Sequence, residues 1–148
     1  MTQRFRLTIA QLNATVGDLA GNAAQALEAW SVAKSAGSDM VMLPEMFVTG
    51  YQVQDLVLKP EFTRDAMAQI QGLAQSCDEG PAMGIGGSFR DETGLYNAYY
   101  ILHLIAGDKH LGQHNHISAR AFGEFPSLKR LRRIASKITH CCVELRHC

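Results

Sequence analysis

At 148 residues the chain is long enough for one domain with a real core, because about 68 to 70% of the unfolded surface can be buried at this size. Hydrophobic residues at 47%, charged residues at 19% and thirteen glycines exclude a disordered or fibrous chain. No apolar run approaches the roughly 20 residues that span a bilayer, and the start MTQRFRLTIAQL lacks the h-region of a signal peptide, so a cytoplasmic location without membrane contact is expected.

The zero net charge conceals an asymmetry. Residues 1–102 hold six Lys plus Arg against eleven Asp plus Glu, whereas residues 103–148 hold eight against three. All six histidines (103, 110, 114, 116, 140 and 147) and the cysteines at 141, 142 and 148 also fall in the second stretch. Such a shift marks either a basic arm or a stretch not selected together with the rest. With Cys77 there are four cysteines and no C-x-x-C pair, which predicts reduced thiols and neither a disulfide framework nor a zinc ribbon.

Residues 6–12 (RLTIAQL) alternate for a strand, with Leu7, Ile9 and Leu12 expected in the core. After the loop NATVGDLAGN, Asn22 is placed to cap a helix starting near Ala23, in which Ala24, Leu27, Trp30 and Ala33 recur at helical spacing and which Gly37 ends. The run MVML at residues 40–43 predicts a strand buried on both faces, and completes a βαβ unit. Pro44 stops it. That leaves Glu45 on the loop at the carboxyl end of a strand, the place where open α/β sheets gather ligands.

Residues 60–77 predict a second amphipathic helix through Phe62, Met67, Ile70, Leu73 and Ala74, with Pro60 in its first turn. Residues 82–90 read as a strand, residues 91–94 (DETG) as a turn, and residues 95–104 as the hairpin partner that carries Asn97, Tyr99 and Tyr100. The glycines of GIGGSF lack the Lys-Ser or Lys-Thr of a phosphate loop and fit a glycine-rich strand better. From His103 onward the pattern decays, with a basic helix near residues 128–138 and no clear strand.

The phrase LPEMFVTGY at residues 43–51 resembles the glutamate motif of the nitrilase, or carbon-nitrogen hydrolase, superfamily. The neighbouring phrases AQLNATVGDLAGN, TGYQVQDLVLKPEF, GIGGSF and LYNAYYIL are similar to the glutaminase domain of bacterial NAD synthetases. The resemblance covers residues 4–102 and implies an α/β fold, the nitrilase-type α-β-β-α sandwich, of which this chain would hold an incomplete, N-terminal half. It also implies that glutamate, lysine and cysteine act together on an amide: the carboxylate takes the thiol proton, the thiolate attacks, and the lysine stabilises the oxyanion. Glu45 takes the base position, and Tyr51 matches a tyrosine at the mouth of the glutamine pocket, a loop tyrosine packed on a helix being the equal alternative for that residue.

In the same register Gln113 stands where the resemblance requires a lysine, and Lys109 lies four residues early, about 13 Å along a strand. Glu124 falls near an accessory glutamate position. The cysteine would come at about residue 148, yet Glu144-Leu145-Arg146-His147-Cys148 shares only the cysteine with the family phrase, and Cys142 has no better context.

The expected organisation is therefore a partial carbon-nitrogen hydrolase domain at residues 1–104, then a divergent, basic, His- and Cys-rich tail at 105–148 from a truncated or frame-disrupted coding sequence. The expected function is that of a glutaminase-domain fragment, inactive alone, whose family substrate is glutamine. The family implies a homo-oligomer. ATP and deamido-NAD would belong to a separate synthetase domain, so no cofactor and no metal site are expected here, nor a nucleic-acid partner. The alternatives are another nitrilase-type amidase, or a binding module whose tail takes metal or nucleic acid.

Overall fold

The computed structural model describes residues 4–77, 79–92 and 94–103, and the backbone of residues 116–121. In chain order it holds strand β1 (Leu7–Ile9), helix α1 (Leu19–Ser35), strand β2 (Met40–Met42), a short 3-10 helix (Gln54–Leu58), helix α2 (Pro60–Ser76), and strands β3 (Ala82–Arg90), β4 (Leu95–His103) and β5 (His116–Ala121). The strands form one mixed sheet in the order β1-β2-β3-β4-β5, with β1, β2 and β3 parallel and β3, β4 and β5 antiparallel. The described residues thus build an α/β sheet of nitrilase type in part, one helix layer on one sheet.

The turns explain where the elements stop. Helix α1 begins at Leu19, not near Ala23, because Asp18 caps it, its carboxylate accepting from Gly21 N–H at 2.9 Å. Asn22 does other work. It is fully buried, accepts from Thr15 N–H at 2.8 Å, and donates to the carbonyls of Thr15 at 2.8 Å and Val48 at 3.0 Å. At the far end Gly37 (φ 66°) donates to Lys34 O and Ser38 to Ala33 O, the paired bonds of a Schellman ending. Between β3 and β4, Asp91 N–H donates to Gly94 O, and Gly94 N–H to the Asp91 side chain.

The core lies between the helices and one face of the sheet. Ala23, Ala26, Trp30 and Ala33 of α1 and Ala66, Ile70, Leu73 and Ala74 of α2 pack with Val41, Leu43, Met83, Ile85, Ala98, Tyr100 and Leu102. The α1 stripe is rotated from the expected one: Ala24 is exposed and Leu27 half-buried. Trp30 fastens α1 to the chain before β3, its Nε1–H donating to Pro81 O at 2.7 Å. The Lys34 ammonium lies 4.8 Å from the ring centroid.

The first strand departs from expectation. Ile9 is 60% exposed and Leu12 39% exposed, and only Leu7 is half-buried. Pairing in register with Met40 and Met42 puts Leu7 and Ile9 on the face away from the helices, while Thr8 faces them. The strand ends at Ile9, so Leu12 lies in the following loop. Beyond residue 104, where no strand is expected, β5 pairs with β4. Its alternation had been legible: Ile117, Ala119 and Ala121 share one face, and His116, Ser118 and Arg120 the other. The basic helix expected near residues 128–138 lies outside the described residues.

Replacing Trp30 with Phe keeps most of the ring volume but leaves the Pro81 carbonyl without its donor. It should lower unfolding stability by about 1–3 kcal/mol in thermal or urea melts.

Candidate active site

Beyond β2 the chain leaves the sheet as a loop that still follows β3. Leu43 N–H donates to Gly84 O at 2.8 Å, Gly86 N–H to Pro44 O at 3.2 Å, and Val48 N–H to Gly86 O at 3.2 Å. Glu45 lies in the middle of this stretch, at the carboxyl end of the parallel strands. The next residue, Met46, takes the left-handed region at φ 51°, and the Thr49 hydroxyl donates to its carbonyl at 3.1 Å. A left-handed methionine costs about 1–2 kcal/mol, a conformation that persists only where its surroundings over-determine it.

Gly86 is what lets the loop lie there. A Cβ on Gly86 would stand 2.4 Å from Met46 N and 2.6 Å from Glu45 Cα, which are backbone atoms with little room to yield. The Gly50 position is as tight, since a Cβ there would come 2.5 Å from Val16 Cα. That contact seats the end of the loop against residues 15–16. Tyr51, next in the chain, is 67% exposed and so does not pack on a helix.

Strand β4 reaches the loop from the other side of β3. Its register sets Asn97 opposite Ser88 and Tyr99 opposite Gly86, with both side chains on the face where the loop runs. The Tyr99 hydroxyl donates to Leu43 O at 2.9 Å. The Asn97 amide donates to Oε1 of Glu45, the other carboxylate oxygen having no hydrogen bond among the described residues. Ser88 is fully buried, and its hydroxyl also has no partner among the described residues.

Burial pushes the Tyr99 hydroxyl up to about 12, and raises Tyr100 as well. Both therefore stay protonated and act as donors at neutral pH, Tyr100 to Ser88 O at 2.8 Å. Glu45 itself is exposed, so the dry pocket that thiol activation requires is not closed by the described residues.

Of the residues singled out from sequence, Glu45 and Tyr51 are placed on this loop. Lys109, Gln113, Glu124, Cys142 and Cys148 lie outside the described residues. Asn97, Gly86 and Ser88 had not been read as site residues. One signal was available for Asn97: asparagine is depleted from strand interiors, yet here it sits in the middle of an aromatic, apolar strand. Among the described residues no group of three His, Cys, Asp or Glu could hold a metal ion, and no helix is long and apolar enough to cross a membrane.

Residues 6–136 match the carbon-nitrogen hydrolase family model, so the likeness runs beyond residue 104. The chain is 62% identical over 102 residues to the glutamine-dependent NAD(+) synthetase of Rhodobacter capsulatus, covering 69% of this chain and 18% of that protein. It is 35% identical over 123 residues to the synthetase of the same name from Thermotoga maritima, covering 83% and 21%. The solved structure of a glutamine-dependent NAD(+) synthetase from Cytophaga hutchinsonii superposes with a TM-score of 0.62 at 29% identity, over 66% of this chain and 17% of its own. The chain therefore spans about a fifth of the length of the curated relatives it matches.

Two outcomes follow from the packing around the loop. Gly86→Ala should cost about 1–3 kcal/mol in a denaturant melt, because the added methyl must displace the Glu45 backbone. Alkaline pH should also unfold the chain. Tyr99 is raised from 10.0 to about 12, so the unfolded state loses its proton first. Stability is fully present below about pH 10 and is lost as pH rises toward about 12. Melts at stepped pH, read beside phenolate absorbance, should show the decline, and Tyr99→Phe should make it shallower.

Proposed function

Because the chain belongs to the carbon-nitrogen hydrolase family, we propose that it is part of the glutamine-hydrolysing portion of an NAD synthetase, the part that supplies the catalytic base. The observation that carries this reading is Glu45, at the carboxyl end of the parallel strands, with one carboxylate oxygen held by Asn97 and the other free of partners among the described residues. The 62% identity to a glutamine-dependent NAD(+) synthetase supports glutamine as the substrate.

In this reading the free carboxylate oxygen takes the proton from a thiol. The S–H bond breaks, an O–H bond forms, and the thiolate attacks the glutamine carboxamide. That proton then passes from Glu45 to the leaving nitrogen as the C–N bond breaks and ammonia departs; water, deprotonated by the freed carboxylate, attacks the thioester and releases glutamate, and the sulfur regains the proton. A lysine would stabilise the oxyanion, yet this sequence has Gln113 in the lysine register, and a neutral amide cannot supply that charge. Glu45 by itself can accept a proton but cannot attack an amide, so the chain alone does not turn over glutamine. No cofactor enters this step. ATP and deamido-NAD would act where the ammonia is consumed, in a separate amidating portion.

Two measurements test the proposal. Ammonia release from glutamine by the full chain should be indistinguishable from that of Glu45→Gln. Release above that control, lost again in Cys148→Ala or Lys109→Ala, would show that the chain carries its own triad. For the positive arm, residues 1–102 replace the matching segment of the Rhodobacter capsulatus relative, whose remaining chain would supply the lysine and cysteine that the family resemblance implies. The hybrid should hydrolyse glutamine, and Glu45→Gln should reduce its turnover by about 10²- to 10⁴-fold. Full turnover in that variant would rule Glu45 out as the base.

A further inference from the structure

A base must present a lone pair along one direction, and a glutamate has three side-chain torsions with which to lose it. Glu45 is exposed and lies on a loop, so packing does not fix its carboxylate. Among the described residues the only hydrogen bond to that carboxylate comes from Asn97, across β3, 52 residues away in the chain.

We propose that Asn97 is the positioning residue of the catalytic base, holding Oε1 of Glu45 so that the opposite oxygen faces the thiol whose proton it takes. The inference rests on Glu45 being the base.

Two features carry it. The direction of the bond is fixed by chemistry: an ionised carboxylate only accepts, so the Asn97 side chain must present its NH₂ and not its carbonyl. The ladder is rigid where it matters, with Asn97 paired to Ser88 and its same-face neighbour Tyr99 paired to Gly86. Tyr99 pins the backbone at Leu43 O, and Asn97 pins the side chain two residues later. One strand therefore holds both the loop and the carboxylate that the loop carries.

The same geometry separates Asn97 from a residue needed for folding. Its side chain is exposed, and Glu45 is its only hydrogen-bond partner among the described residues. Truncation should therefore leave the fold intact while releasing the carboxylate.

The full-length chain, labelled with heavy nitrogen and carbon, gives the first test by NMR. The Asn97 side-chain nitrogen should show a scalar coupling across the hydrogen bond to the Glu45 carboxylate carbon. One of its amide protons should exchange about tenfold more slowly than those of exposed Asn13. Glu45→Ala should abolish both signatures. In the hybrid described above, Asn97→Ala should lower kcat about tenfold or more with KM unchanged, and Asn97→Asp should lower it further, because a second carboxylate repels the first. The melt of the full-length chain should be the same for Asn97→Ala as for the parent.

Absence of the coupling in the full chain overturns the proposal. So does an Asn97→Ala hybrid with unchanged kcat when Glu45→Gln has abolished turnover, an outcome that leaves the glutaminase reading standing. A hybrid indifferent to Glu45→Gln sinks that reading, and the role of Asn97 with it.

Discussion

The site depends on an absence of side chains. On the face of β3 over which the Glu45 loop runs, the residues at 84 and 86 are glycines, and at Gly86 even a methyl group would collide with the loop backbone. Neighbouring strands lie about 4.8 Å apart, so β4 is roughly 10 Å from the end of β2. A side chain can bridge that gap where little stands on the strand between. Over the bare glycines Tyr99 reaches Leu43, and Asn97, opposite the small Ser88, reaches Glu45. The loop then rests on the sheet and is held from its far side.

Two further contacts set the same loop from the helix side. Asn22 donates to the Val48 carbonyl from within α1, and Gly17 N–H donates to Thr49 O at 3.0 Å. Residues 43–49 are thus tied to α1, β3 and β4, elements that the chain reaches at widely separated points. This over-determination explains how a left-handed Met46 is tolerated beside a candidate catalytic group. It also separates two tasks: the backbone on either side of Glu45 is fixed by several bonds, and its carboxylate by one.

Family membership and site geometry bear on different questions. The match over residues 6–136 gives the family, and likeness to known synthetases speaks to the lineage of the chain. Neither says how a carboxylate on an open loop is made to point one way. That answer comes from the β3–β4 register, in which a shift of one residue would turn Asn97 and Tyr99 to the helix face and bring Ala98 and Tyr100 to the loop.

Much of the architecture was legible in the sequence for local reasons. Helix α2, β3, the β3–β4 turn and the strand before Pro44 each follow from periodicity or turn chemistry within a few residues, and Glu45 could be named from the phrase around it. The failures share one cause. Ile9 reads as a core residue until pairing with β2 puts it on the face away from the helices. Asn22 reads as a helix cap until its amide is needed by Thr15 and Val48. Asn97 reads as one polar residue in a strand until register brings it to Glu45. Local pattern determines which residues form an element. Which face a residue takes, and which distant group its polar atoms meet, was decided only when the strands were laid side by side, because strand register sets the face of Ile9 and Asn97, and a buried amide such as that of Asn22 must find partners wherever the tertiary structure provides them.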